Sequence, residues 1–180
     1  ELFGKVWGFV GFGRIGKAVA ERLIPFGPRM IYYDPFRIEA AVEQRYQVAF
    51  AGLADVLKNA DVLSLHCPLT EETAGLISRD NLALMKPGAV IINVARGEVI
   101  DEEALAGALR DGKLGGAALD VFSAEPIAHT NPLLALSGDK VILSPHVAGV
   151  SQEAQGRIIT MTIANIVKVM QGQAPESLVN

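Results

Sequence analysis

The sequence predicts an α/β fold, a doubly wound parallel sheet of about seven strands with helices on both faces. Three observations predict it. Short apolar runs of four to seven residues alternate with amphipathic segments, the pattern of βαβ units around a buried sheet. The mean hydropathy is +0.30, as expected where strands are covered on both faces and need no polar side. A glycine-spaced turn, Gly11-Phe12-Gly13-Arg14-Ile15-Gly16, leaves the first apolar run and opens an amphipathic segment.

Taken in order, the candidate strands are residues 6–10, 30–33, 47–50, 62–66, 90–94, 117–121 and 141–144. The first helix places Ile15, Val19, Leu23 and Phe26 on one face, and Pro25 and Gly27 help to end it. Asp101 is placed to cap a helix over 102–110, and Ser151 a long final helix closed near Gly172. Residues 123–137, with Pro126 and Pro132, form the largest irregular piece.

The chain has 180 residues, half of them apolar, so it can bury a core of its own and is read as one domain over 1–180. A net charge of −4 with scattered basic residues offers no field for nucleic acid. Cys67 is the only cysteine, which excludes an internal disulfide and any C-x-x-C pattern, and a reducing, cytoplasmic setting fits best. No metal site is expected. Apolar stretches such as 88–95 break well before the ~20 residues a membrane span requires. The chain opens on Glu1 and runs almost directly into a strand, so it reads as starting within a longer protein.

The glycine turn has a use in this context. After a strand and before a helix, Gly11 permits the tight turn, Gly13 lets backbone approach a pyrophosphate, and Gly16 lets helix and strand pack closely. The helix N-terminus then faces phosphates. Asp34 ends the next strand, eighteen positions after Gly16, where a carboxylate accepts from both ribose hydroxyls and repels a 2′-phosphate. The nearest following cation is Arg37, so no arginine stands directly beside the ribose position. The expected cofactor is NAD, in a Rossmann arrangement.

The motifs Val10-Gly11-Phe12-Gly13-Arg14-Ile15-Gly16, His66-Cys67-Pro68-Leu69-Thr70, Met85-Lys86-Pro87-Gly88, Asn93-Val94-Ala95-Arg96-Gly97, Asp120-Val121-Phe122, Glu125-Pro126 and Ser144-Pro145-His146 run through nearly the whole chain. With them it resembles the nucleotide-binding domain of the D-isomer-specific 2-hydroxyacid dehydrogenases, nearest in look to phosphoglycerate-type and hydroxypyruvate-type members. The resemblance implies hydride transfer between NAD and a D-2-hydroxy acid or its 2-oxo acid. Arg96 is then the substrate-binding cation, its guanidinium fork suited to a carboxylate beside a carbonyl. His146 is the proton donor or acceptor, and Glu125 the carboxylate that orients it. Asp120 stands beside the nicotinamide, and His66, Cys67, Pro68 and Thr73 belong to the loop passing the adenosine and phosphates. Gly11, Gly13, Arg14, Ile15, Gly16, Asp34, Val94, Ala95, Arg96 and His146 complete the implied cofactor contacts. His129 is read as a solvated loop histidine.

Pro25 and Pro28 depart from the family pattern and imply a shortened or kinked first helix. The family's other domain, built mostly from upstream sequence, is absent, and residues 174–180 resemble the C-terminus of short members. The chain alone is therefore expected to be nearly inactive, without the domain that completes the pocket and excludes water. Family members commonly pair as homodimers. A rival reading is a corepressor-like scaffold that senses NAD without turnover, and another is a Rossmann domain without cofactor. Formate dehydrogenases carry glutamine where Glu125 stands.

Overall fold

A computed structural model describes residues 1–176; the expected C-terminal residues 177–180 lie outside the described part. The chain divides into two compact units, residues 1–146 and residues from 147 onward.

The first unit is built on seven parallel strands: β1 (Val6–Val10), β2 (Arg29–Tyr33), β3 (Val48–Phe50), β4 (Val62–Leu65), β5 (Ala89–Asn93), β6 (Leu114–Leu119) and β7 (Val141–Leu143). Their spatial order is β3-β2-β1-β4-β5-β6-β7. The direction of build-up reverses between β1 and β4, so a crevice opens at the carboxyl ends of these two strands.

Alternation along the strands sends side chains into two cores. Val6, Val10, Ile31, Leu63, Leu65 and Ile91 meet α3 (Leu53–Asn59), α4 (Arg79–Leu84) and α5 (Glu102–Arg110) through Val56, Leu57, Leu82, Leu105 and Leu109. Trp7, Phe9, Met30, Tyr32 and Val48 meet α1 (Arg14–Leu23) through Ala20 and Leu23, with Tyr46 of α2 (Ala40–Tyr46) packed against them. Both faces are thus covered, as a parallel sheet requires.

Several expected boundaries move. Strand β6 starts at Leu114 rather than 117, because Gly115, which reads as a breaker, sits where a Cβ would lie 2.5 Å from the Gly88 carbonyl oxygen. It ends two residues early at Leu119, and β4, β5 and β7 each end one residue early at Leu65, Asn93 and Leu143. Gln47 is not in β3; with φ +52 it terminates α2. The face expected for the first helix is corrected too. Leu23 is buried as expected and Val19 packs against the core, but Ile15 and Phe26 are 60% and 58% exposed, and Gly16 and Ala20 take their place on the buried face. Small residues let α1 lie close to the sheet, which turns Ile15 outward, while Pro25 converts the next residues to a 3₁₀ turn (Ile24–Phe26) that carries Phe26 off the helical face. That turn is the predicted shortening.

Asp101 caps α5 through Ala104 N–H at 2.9 Å. From Asp120 to Lys140 the chain is irregular apart from a 3₁₀ turn at Leu134–Leu136. In the second unit, Ser151 Oγ accepts from Ala154 N–H at 3.0 Å and opens α6 (Gln152–Met170), and Gly172 follows with φ +74. No helix among the described residues is long and apolar enough to cross a membrane.

Candidate active site

The glycine turn is pinned from three directions. Gly11 N–H donates to the Tyr33 carbonyl at 2.8 Å, Phe12 N–H donates to Asp34 Oδ2 at 2.9 Å, and the Phe12 ring is buried edge-on against Phe9 at 5.3 Å. Gly11 has φ +86, and a Cβ there would lie 2.5 Å from Cys67 N, so the loop after β4 runs directly over the turn. A Cβ on Gly16 would press on the Gly11 carbonyl oxygen at 2.9 Å. At Gly13 a Cβ would meet nothing. Gly13 is also the N-cap of α1 and brings no side-chain acceptor, so the first amides of that helix face open space beside exposed Arg14.

A groove of about 610 Å³ lies at the crevice. Gly11, Gly13, Asp34, His66, Cys67, Pro68 and Thr73 line it, together with Phe36 and Leu76. Asp34 Oδ1 accepts from Phe36 N–H at 2.9 Å; each carboxylate oxygen thus holds one backbone amide and keeps a further lone pair. His66 shares a 2.9 Å hydrogen bond from Nε2 with Ser64 Oγ, while its Nδ1 is buried without a partner. Burial pushes its imidazole down to about 4, so the ring is neutral. Burial pushes the Cys67 thiol up, and the Asp34 charge adds to this. Thr73 Oγ1 donates to the Pro68 carbonyl at 2.6 Å and accepts from Thr70 N–H at 2.8 Å, closing the 68–73 loop on itself.

The groove fits a dinucleotide. Open space beside Gly13, uncapped helix amides for a diphosphate, a carboxylate with spare lone pairs for ribose hydroxyls and an apolar wall at Phe36 and Leu76 match its parts.

Arg96, Asp120 and His146 occupy the same carboxyl edge further along, after β5, β6 and β7. Asn93, 1% exposed, shapes the turn that presents Arg96: its Nδ2 donates to the Arg96 carbonyl at 2.9 Å and its Oδ1 accepts from Ala95 N–H at 3.0 Å. Val94 is half-buried and Ala95 buried in this turn, while the Arg96 side chain is exposed. Asp120 is buried and accepts from Ser144 Oγ at 2.5 Å. His146 has φ +55, a left-handed conformation that a non-glycine residue adopts at a cost. Its N–H donates to the Asp120 carbonyl at 2.8 Å, which holds that backbone in place.

The structure brings Glu125 and His146 together, with Nδ1 to Oε2 at 2.8 Å. The His146 hydrogen bond and the Phe122 N–H hold the Glu125 carboxyl below its usual range, so it is ionised and only accepts. Nδ1 therefore carries the proton in this pair and Nε2 faces elsewhere. The pair is half exposed, 51% for the His146 side chain and 39% for Glu125. No side-chain bond joins Arg96 to this pair; its Nη1 donates to the Ala95 carbonyl at 2.6 Å.

Two positioning contacts escaped the sequence reading. Glu102, the first residue of α5, accepts from Ser123 N–H at 2.7 Å and from Asn131 Nδ2 at 2.6 Å, fixing both ends of the loop that carries Glu125. A Cβ on Gly97 would lie 1.9 Å from the Phe122 carbonyl carbon, so the Arg96 turn abuts that loop backbone to backbone. Asn93 had a signal, since an asparagine at a strand end before small residues is placed to bond nearby backbone. Glu102 had none. His129 is exposed, and among the described residues no acidic, histidine or cysteine cluster could hold a metal ion.

A family model described as D-isomer specific 2-hydroxyacid dehydrogenase, NAD binding domain, matches residues 1–148. The chain is 43% identical to a glyoxylate reductase of Korarchaeum cryptofilum, over all of this chain and 53% of the relative. It is also 43% identical to a D-3-phosphoglycerate dehydrogenase of Methanocaldococcus jannaschii, over all of this chain and 34% of that protein. Among solved structures, D-lactate dehydrogenase from Aquifex aeolicus complexed with NAD and lactic acid superposes with a TM-score of 0.84 at 32% identity, covering 93% of this chain and 54% of the other. The chain thus spans about half the length of the glyoxylate reductase it matches. With a groove built for a dinucleotide and a profile match over most of its length, the chain belongs to the D-isomer specific 2-hydroxyacid dehydrogenases and carries their NAD binding domain.

Proposed function

We propose that this domain serves NAD-dependent reduction of a short 2-oxo acid to its D-2-hydroxy acid, and the reverse. The observation that carries this reading is the Glu125–His146 pair, set on the same sheet edge as Arg96 and the groove. The residues that would hold the dinucleotide are Gly11, Gly13, Arg14, Ile15 and Gly16 at the diphosphate side and Asp34 at the ribose. His66, Cys67, Pro68 and the loop shaped by Thr73 flank the adenosine, and Val94, Ala95, Arg96, Asp120 and His146 flank the nicotinamide end. When bound, it supplies or takes up the hydride exchanged with substrate C2.

The residues of the chain do the rest. Arg96 binds the substrate carboxylate with a planar, permanently charged fork and draws on the neighbouring carbonyl. His146, with Nδ1 engaged by Glu125, turns Nε2 to the substrate oxygen and gives it a proton during reduction. In oxidation it takes that proton back. Glu125 keeps the ring in one orientation by accepting from Nδ1.

Reduction of glyoxylate by NADH, measured on a protein that carries this domain with the substrate domain, tests the reading. His146→Gln is expected to lower kcat about 100-fold or more, the usual contribution of a positioned acid, with NADH affinity retained. Normal turnover by that variant refutes the role.

A further inference from the structure

Arg37, three positions after Asp34, lies on the loop whose Pro35 and Phe36 line the groove. A 2′-phosphate on the adenosine ribose requires a nearby cation, and Arg37, though not directly beside the ribose position, is the first one to follow Asp34. The guanidinium is committed elsewhere. Its Nε and Nη2 donate to Oε1 and Oε2 of Glu43, each at 2.9 Å, a two-pronged pairing that fixes the planar group.

Glu43 is itself held. Its side chain in α2 is only 13% exposed, and Oε1 also accepts from the Tyr32 hydroxyl at 2.9 Å. That hydroxyl accepts in turn from Ile38 N–H at 3.0 Å. Tyr32 is fully buried, and burial pushes its phenol up to about 12, so it stays a donor to Glu43. The Arg37 guanidinium also lies over the Phe50 ring at 5.4 Å. Side chains of β2, α2 and β3 together set where this cation sits.

We propose that Glu43 is a cofactor-selecting residue: by holding Arg37 in a bidentate pair it withholds that cation from a 2′-phosphate, and so enforces NAD over NADP. This deepens the cofactor reading above and rests on it. Two carboxylates then exclude the phosphate by different means. Asp34 repels it directly, and Glu43 occupies the charge that would compensate. Arg37 has a flexible stem and an exposed side chain, so without the Glu43 charge only the contact with the Phe50 ring opposes its turning toward the groove.

The test is fluorescence titration of the 180-residue chain with NADH and, separately, NADPH. Glu43→Gln keeps a carbonyl oxygen for the Tyr32 hydroxyl while removing the charge and one prong of the pair. It is expected to raise NADPH affinity about tenfold, the scale of one charge-assisted contact to phosphate, with NADH affinity within about twofold as the measure of an intact fold. Arg37→Ala alone leaves both affinities near wild type, because the cation is already sequestered. The double variant Glu43→Gln/Arg37→Ala returns NADPH affinity to the wild-type level. Glu43→Ala, which removes both oxygens, shifts the ratio the same way and stands in if the glutamine variant loses NADH binding. An unchanged NADPH-to-NADH ratio in both Glu43 variants, or a gain that survives in the double variant, overturns the inference alone. Absence of NADH binding by the wild-type chain overturns the cofactor reading and this inference with it.

Discussion

At the scale of single residues, the site depends on places where backbone meets backbone. Gly97 allows the Arg96 turn and the Glu125 loop to touch, and a methyl group there would sit 1.9 Å from the Phe122 carbonyl carbon. Gly97→Ala must push the two apart, and we expect a loss of about 3 kcal/mol, as for severe overpacking. Urea denaturation followed by circular dichroism measures it; a loss below about 1 kcal/mol would mean the loop shifts freely. Asp34, Arg96, Glu125 and His146 were legible in the sequence because each carries a distinctive group at a strand end or in a named motif. Glu102 and Glu43 were not. Their partners Ser123 and Arg37 lie 21 positions ahead and 6 positions behind in the chain, and nothing in an acidic helical residue tells which loop it will meet.

The elements were read best where composition and punctuation agreed. Strand β1 has the expected bounds, since an unbroken apolar run ends in the glycine turn. Helix α5 does too, because Asp101 precedes a stretch of good helix formers. The first helix was read correctly at Val19 and Leu23 but misled at Ile15 and Phe26, because large apolar residues were assigned to the buried face where close packing selected Gly16 and Ala20. Strand β6 misled because Gly115 and Gly116 weaken any strand signal. For α5 the cap itself can be tested. Asp101→Ala removes the acceptor for Ala104 N–H, and a loss of about 1 kcal/mol is expected. Asp101→Asn should recover most of it, and equal losses in both variants would show that the charge rather than the cap matters.

Across the whole molecule, the two ends of the sheet have different duties. The carboxyl ends carry the groove and the Glu125–His146 pair, while the opposite end is tied by Asp61. Its Oδ2 accepts from Val6 N–H at 2.7 Å and its Oδ1 from Lys86 Nζ at 2.9 Å, joining the starts of β1 and β4 to the turn before β5. Burial alone would raise the Asp61 carboxyl, but these two donors outweigh it and hold it below its usual range. A lowered value in the fold means the stabilisation is present in full above the unfolded value near 4 and fades as acid protonates the folded group. Asp61→Asn is therefore expected to lower Tm at neutral pH by about 3 °C, to differ progressively less from wild type below about pH 4, and to leave NADH affinity unchanged. A constant Tm gap down to pH 2, or weakened NADH binding, would contradict this division of duties. The order of strands has a further consequence. The outermost strands, β3 and β7, are only three residues each, whereas β1, β2 and β5 inside have five. Unpaired amides and carbonyls at the sheet's margins are thus few, which leaves little template for edge-to-edge aggregation even though the interior strands are almost wholly apolar.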